Sequence, residues 1–451
     1  MTQCLLQLKS LLSPTPHIYF TVNSLLNQTR PRSRLSSVID IYSNIGIRRT
    51  VMSAATAASA SNNKTEQCAD LLKPFYVPEK LLLGPGPSNP PPGVLAAMTQ
   101  PMLGHLHPEF IQIMKEVTQG LKYLFRTVNP LTVAVSGTGH AGMEASLANL
   151  VEPGEKVLIA SNGHWGNRSS DIAERVGAVV SKVEKEPGKA FSLDEIEDGL
   201  MLNKPDVLFV CHGESSTGVI QPLNGIGDLC RKHNCLLIVD TVASLGATPF
   251  NADELNIDLV YTGSQKVIGC PSGLAPISVG PRAMKKLESR KSKVLSYYED
   301  LLLLGNYWGC FDEAPRYHHT GPISMVYALR EALRIVVEEG VDEVVARHEK
   351  TAKILHDGLE ALGLTLFVKN PAHRMPSVTT VEVPDGIAWA AVVKHLMIKY
   401  KIEIAGGLGP TVGKVWRIGL MGYNCTEENV RKVLAALDDA LKVCRTDSPK
   451  L

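Results

Sequence analysis

Long apolar runs are missing from this chain. No stretch of about 18 consecutive apolar residues occurs, so no membrane-spanning helix is expected. A charge excess is missing too: 46 Lys and Arg face 45 Asp and Glu, a net charge of +1. No global field therefore draws the protein to nucleic acid or to an anionic surface. Cysteine is scarce and shows no framework. The nine cysteines, an odd number, sit mostly in apolar runs such as those around Cys211 and Cys235. That pattern fits reduced, buried thiols, and Cys230 and Cys235, flanking a helix-to-strand junction, read as structural. Metal-ligand spacing is absent as well. No cysteine pair has zinc-like spacing matched by a second pair, and His318-His319 has no carboxylate or cysteine at helical ligand spacing, so no metal site is expected. No internal repeat is found. What remains is a globular composition, 44% hydrophobic and 20% charged, on 451 residues, long enough for two domains with large cores.

Residues 1–52 differ from the rest. Lys9, Arg30, Arg32, Arg34, Arg48 and Arg49 are opposed only by Asp40, among many Ser, Thr, Asn and Leu. An Arg- and Ser-rich, acid-poor N-terminus has the composition of a mitochondrial targeting presequence. Met52 follows the Arg48-Arg49 pair and offers a second start without it. Residues 53–77 read as an Ala-, Ser- and Asn-rich linker or arm.

The folded body begins near Leu81. Phe110, Ile113, Val117, Leu121 and Leu124 form an amphipathic stripe over 108–125. From Leu131 onward strands and helices alternate: strands at 133–136, 156–160, 179–183, 207–211, 235–240, in the apolar run 255–260, and at 276–279. Helices are expected at 143–150, 170–176, 193–202 (opened by Ser192) and 226–233. This order predicts an α/β fold with a mostly parallel sheet flanked by helices. Past Pro322 the pattern changes. Helices are expected at 325–338, 341–362, 387–400 and 427–443, with strands at 365–368, 377–383, 402–404 and 415–418. The expected division is a large domain over 78–338 and a smaller α+β domain over 339–451.

The chemistry gathers in a few short stretches. Tyr261-Thr-Gly-Ser-Gln-Lys266 places a lysine among small residues that let a flat ligand come close. Asp240 closes the preceding strand, and open α/β sheets bind ligands at the carboxyl ends of their strands. Ser136-Gly-Thr-Gly-His-Ala-Gly142 follows a strand and opens a helix, so its amides and the helix dipole cradle a phosphate. It also matches the dinucleotide pattern G-x-G-x-x-G. That reading wants an acid at the end of the next strand, which instead ends Ala160-Ser161-Asn162, and it leaves Asp240 and Lys266 idle. One phosphate with one lysine and one aspartate points to pyridoxal 5′-phosphate. The lysine bonds the aldehyde and shuttles a proton; the aspartate keeps the ring nitrogen protonated. Trp165, expected in a loop between Gly163 and Gly166, suits a stacking platform. Arg417, an arginine within an apolar strand, asks for an anionic partner such as a substrate carboxylate.

These pieces resemble fold-type I, class V aminotransferases, and most closely the alanine–glyoxylate (serine–pyruvate) aminotransferase family. The resemblance rests on Leu83-Gly-Pro-Gly-Pro-Ser-Asn89, Ser136-Gly-Thr-Gly-His140, Asn162-Gly-His-Trp-Gly166, His212-Gly-Glu-Ser-Ser-Thr-Gly218, Asp240-Thr-Val-Ala-Ser-Leu-Gly246, Gly263-Ser-Gln-Lys266, Tyr317-His-His-Thr320, and Gly406-Gly-Leu-Gly409 with Arg417. They run in family order from about residue 75 to the end. The resemblance implies that Lys266 carries the Schiff base and that Asp240 pairs with the pyridine nitrogen. It implies that Trp165 and Val242 pack on the two ring faces, that Thr138, Gly139, His140 and Gln265 line the phosphate and its approaches, and that Ser215 reaches toward the 3′ oxygen. Arg417 then holds the substrate carboxylate, with Gly84 beside the substrate. Tyr317 and Thr320 bind the phosphate of the partner subunit, which implies a homodimer with shared sites. His140, His164 and His212 read as positioning or structural residues.

The implied reaction moves the amine of L-alanine, or L-serine, to glyoxylate. The small acceptor suits the glycines 84, 86, 406 and 407, which are expected to leave backbone near the substrate. A lyase or desulfurase on the same fold would need a reactive cysteine, and Cys270 lies closest to Lys266. A non-catalytic binding module is the third reading. The chain ends Pro449-Lys-Leu451 where the family's peroxisomal members carry a Ser-Lys-Leu-like tripeptide. Together with the presequence this predicts mitochondrial address from the first Met and peroxisomal address from Met52.

Overall fold

The structure is a computed structural model that describes residues 68–445. The presequence, Met52, residues 53–67 of the linker and the C-terminal tripeptide lie outside the described residues. A compact unit begins at Glu79. In the segment before it, a single 3-10 turn spans Ala69–Leu72.

The strands of the unit, in chain order, are β1 (Leu81–Leu82), β2 (Thr132–Ser136), β3 (Lys156–Ser161), β4 (Val179–Glu184), β5 (Val207–Cys211), β6 (Gly213–Glu214), β7 (Val219–Ile220), β8 (Leu236–Asp240), β9 (Leu259–Tyr261), β10 (Leu274–Val279), β11 (Val378–Glu382), β12 (Ile402–Glu403), β13 (Ala405–Gly406) and β14 (Val415–Gly419). Seven of them form the central sheet in the order β2-β10-β9-β8-β5-β3-β4. All run one way except β10, which is antiparallel to both neighbours. The sheet's strands β5, β9 and β10 are buried from end to end, as sheets covered on both faces require. Register carries the function: Cys211, Asp240 and Tyr261 lie side by side where β5, β8 and β9 end.

The helices start and stop where local chemistry directs. Pro108 opens Pro108–Phe125, and Arg126, left-handed at φ 52°, closes it. Ser192 and Glu195 form a reciprocal capping box on Leu193–Asn203. A second core collects Leu83, Leu355, Leu359, Trp416, Ile418, Val433 and Leu437, around the antiparallel sheet β11-β14-β13. The helix Val341–Ala361 spans both cores: Val341 and Val344 pack in the large one, Leu355 and Leu359 in the small one.

Several expectations are corrected. The 365–368 run is no strand; it makes one isolated bridge, Leu366 to Val381. The 387–400 helix is an α-helix over Trp389–His395 that widens into a π turn over Leu396–Tyr400. The helix expected at 170–176 begins six residues earlier, at His164.

Candidate active site

One cavity of about 90 Å³ opens at the carboxyl end of the central sheet. Thr138, Gly139, His140, Trp165, Ser215, Asp240, Val242, Gln265 and Lys266 line it, nine residues singled out from the sequence, joined by Met143, Gly213 and Ala243. A larger, more open cleft of about 450 Å³ lies at His212, His356 and Arg374 and contains neither Lys266 nor Asp240. Convergent chemistry rather than size distinguishes the smaller cavity.

Lys266 sits five residues past the end of β9. Its Nζ donates to the Pro85 carbonyl. Burial, reinforced by the nearby Arg417 charge and opposed by Asp240, brings its pKa down to about 8. An amine so tuned is neutral far more often near pH 7 than an exposed lysine. Gly86 makes room for it: at φ +97° a side chain is disfavoured, and an added Cβ would lie 2.5 Å from Lys266 Nζ.

Asp240 is buried at the end of β8. It accepts the Tyr261 hydroxyl at 2.6 Å and the Val242 amide at 2.8 Å. Burial raises its pKa to about 6, against the pull of those bonds and of Lys266. The helix Gly139–Leu150 aims its first amides at the same cavity, and its N-cap Thr138 makes no side-chain cap bond, so its hydroxyl is spare.

Trp165 is not in a loop. It is the second residue of the helix His164–Arg175, because the helix begins directly after Gly163. Its indole N–H donates to Ser215 Oγ at 2.8 Å. His140 and His164 meet its ring near edge-on, at 5.4 and 5.1 Å between centroids. His140 also contacts Arg168 at 2.9 Å, and buried His212 contacts Ser244 Oγ at 2.9 Å. Burial lowers the pKa of all three histidines, His212 to about 3. Their contacts are those of positioning residues.

Arg417 lies on β14, 8% exposed. Its guanidinium donates to two carbonyls, Gly406 at 2.8 Å and Ser215 at 3.3 Å, and makes no ion pair among the described residues. A buried cation served only by carbonyls is one an incoming carboxylate completes.

Four residues stand apart from the cavity lining. Arg417 adjoins it through Ser215. Gly84 precedes Pro85, and an added Cβ there would meet Glu403 Oε1 at 3.1 Å. Gly406 and Gly407 likewise admit the Trp389 ring and the Thr411 backbone. At these positions the missing side chain makes room for protein atoms. Tyr317 and Thr320 are exposed and line no part of this chain's own cavity. Cys270 is buried and its thiol is pushed up to about 12 by burial, the opposite of a reactive cysteine. Sequence reasoning missed two residues: Tyr261, whose bond to Asp240 depends on the β8–β9 register, and Glu214, buried and accepting the Trp165 backbone amide.

The cavity fits pyridoxal 5′-phosphate. Gln265 Oε1 is buried in its wall with no hydrogen-bond partner. Gly139 faces Val242 so closely that a Cβ would sit 3.0 Å from a valine methyl. Amine, carboxylate and helix N-terminus converge on one small volume. Such a site, at the switch end of a mostly parallel sheet with a small second domain, defines a pyridoxal-phosphate enzyme of fold type I. The family model "Aminotransferase class-V" matches residues 81–433, and the chain belongs to that family. It is 51% identical over 374 residues to an alanine–glyoxylate aminotransferase of Callithrix jacchus, covering 83% of this chain and 90% of the relative. It is 40% identical over 382 residues to a (S)-ureidoglycine–glyoxylate transaminase of Bacillus subtilis, with 81% and 91% covered. The crystal structure of an alanine–glyoxylate aminotransferase from Nostoc sp. superposes with a TM-score of 0.80 at 48% identity, covering 82% of this chain and 97% of that one.

Proposed function

We propose that this enzyme transfers the amino group of L-alanine to glyoxylate, giving pyruvate and glycine, with L-serine and pyruvate as a secondary pair. The observation that carries the reading is Arg417: a buried guanidinium near Lys266, with no ion pair among the described residues, suits a small 2-amino acid gripped by its carboxylate. The names of the relatives at about half identity support it.

Pyridoxal 5′-phosphate, when bound, supplies the aldehyde that exchanges amines and a ring that accepts negative charge. This chain's residues do the rest. The Gly139–Leu150 helix end, Thr138 and Gln265 would hold the phosphate, and Trp165 and Val242 would confine the ring. Asp240 would hold the proton at the ring nitrogen. Lys266, its basicity lowered, would hold the cofactor at rest and would move the proton at the substrate Cα. Arg417 orients the substrate so that this proton faces Lys266.

The test is to add alanine alone to the holoenzyme, then glyoxylate. Pyruvate release in the first step and glycine in the second are expected; release of sulfide from cysteine, or no amine transfer from alanine, overturns the reading. We further propose a homodimer in which Tyr317 and Thr320 reach the partner's phosphate. For location, the acid-poor residues 1–52 support a mitochondrial address for the full chain, and Pro449-Lys450-Leu451 supports a peroxisomal one from Met52. Reporter fusions of the two forms test this, and a cytosolic signal from both overturns it.

A further inference from the structure

Glu214, the second residue of β6, has no exposed surface. Its carboxylate faces three donors. Oε2 accepts the Trp165 amide at 2.9 Å; Oε1 accepts the Ser216 amide at 2.9 Å and the Ser216 hydroxyl at 2.6 Å. Ser216 Oγ in turn accepts the His164 amide at 3.0 Å. His164 and Trp165 open the helix His164–Arg175, whose N-cap, Gly163, has no side chain to serve them. The 214–216 turn satisfies both amides in its place.

The same turn receives the C-terminal part of the chain. The Thr411 hydroxyl donates to the Ser216 carbonyl at 2.8 Å, and Arg417 Nη1 donates to the Ser215 carbonyl at 3.3 Å. Between the two sides, Ser215 Oγ takes the Trp165 indole N–H. Glu214 makes no ion pair among the described residues. Burial raises its pKa and the three donors pull it back; since each oxygen faces a donor, the ionised form is the one the geometry fits. A buried carboxylate served by neutral donors costs stability, so its return is sought in orientation.

We propose that Glu214 is a positioning residue, whose carboxylate fixes the entry of the His164–Arg175 helix and so holds the ring of Trp165 in register with the Arg417 arm. The proposal rests on the transaminase reading above. It deepens that reading by tying the face that confines the cofactor to the group that grips the substrate. Gly163 is part of the arrangement, because an added Cβ would lie 2.4 Å from Glu214 Cδ.

Glu214→Gln keeps the shape but turns an NH2 group toward a donor. Two readouts on the holoenzyme separate positioning from mere folding. The visible circular-dichroism band of the bound cofactor, which reports the ring's asymmetric surroundings, should weaken. The KM for alanine should rise about tenfold, on the scale of a lost hydrogen bond to a charged group, while kcat falls less. Gly163→Ala, which displaces the same carboxylate from the other side, should reproduce both, and it keeps the test available if Glu214→Gln fails to fold. An unchanged band and an unchanged KM, with or without a lower Tm, overturn the proposal. If the wild-type enzyme releases no pyruvate from alanine, the transaminase reading fails instead, and the circular-dichroism comparison still decides the role of Glu214.

Discussion

Lys266 shows at the scale of one residue how a site trades stability for reactivity. In the unfolded chain its amine titrates at 10.5; in the folded protein burial brings it to about 8. Below pH 8 both states are protonated, and the fold bears the whole cost of a buried ammonium. Between 8 and 10.5 the folded amine sheds its proton first and that cost fades, so stability from this group rises with pH across the window. Cofactor-free Lys266→Met should therefore be more stable than cofactor-free wild type at pH 7, by up to roughly 3 kcal/mol. The gap should close toward pH 10.5. Urea unfolding at pH 7 and pH 10 measures it, and a gap that persists at pH 10 would show that burial of the charge is not its cause. Activity should move the other way. Lys266→Ala should still bind cofactor through the helix end at Gly139 but transfer amines at least about 10³-fold more slowly, the scale of losing a proton-transfer group. Near-normal turnover would remove Lys266 from the mechanism.

At the scale of elements, the helix Gly139–Leu150 couples packing to chemistry. An added Cβ on Gly142 would lie 2.8 Å from the Tyr261 ring and 3.3 Å from Ala275 Cβ. Tyr261 is fully buried and cannot step aside. Gly142→Ala should thus strain the Tyr261–Asp240 bond. A hydrogen bond to a charged group contributes about 1.5–3 kcal/mol, so cofactor affinity should fall about tenfold or more. Tyr261→Phe, which removes the bond without moving the ring, should show a similar loss in a cofactor titration. Wild-type affinity in Gly142→Ala would mean the helix slides without cost. Elements of this kind were legible from sequence where local chemistry declares them. Ser192 announced a helix, and Glu427–Val443 matched its expected span because Thr426 caps it. The antiparallel sense of β10 was not legible, since strand composition carries no direction. Nor was the short β13, which includes Gly406. Nine of the thirteen expected site residues share one cavity because motifs at strand ends converge in any such sheet. Tyr261 and Glu214 escaped because their roles depend on register and on a turn met from two sides.

At the scale of the whole molecule, Tyr317 and Thr320 are the expected phosphate contacts that lie outside this chain's own cavity. Both are exposed on this chain, Tyr317 at 55%. Yet the segment between them is anchored. His319 Nε2 contacts Ser136 Oγ at 2.8 Å, at the start of the phosphate loop, and His318 and His319 meet at 2.8 Å. An anchored segment that presents an aromatic hydroxyl and a threonine outward, beside a loop built for phosphate, suits a dimer in which each chain completes the other's site. Subunit mixing tests this directly. One chain carries Lys266→Ala; the other carries Tyr317→Ala and Thr320→Ala together. Each homodimer should be impaired in both of its sites. In the mixed dimer, the chain that keeps Lys266 faces a partner that keeps Tyr317 and Thr320, so one site is whole and the other bears every lesion. Mixing the two should restore activity to about half the wild-type rate per mixed dimer. If Tyr317 and Thr320 served their own chain's site instead, one site would lack Lys266 and the other its phosphate contacts, and mixing would restore nothing.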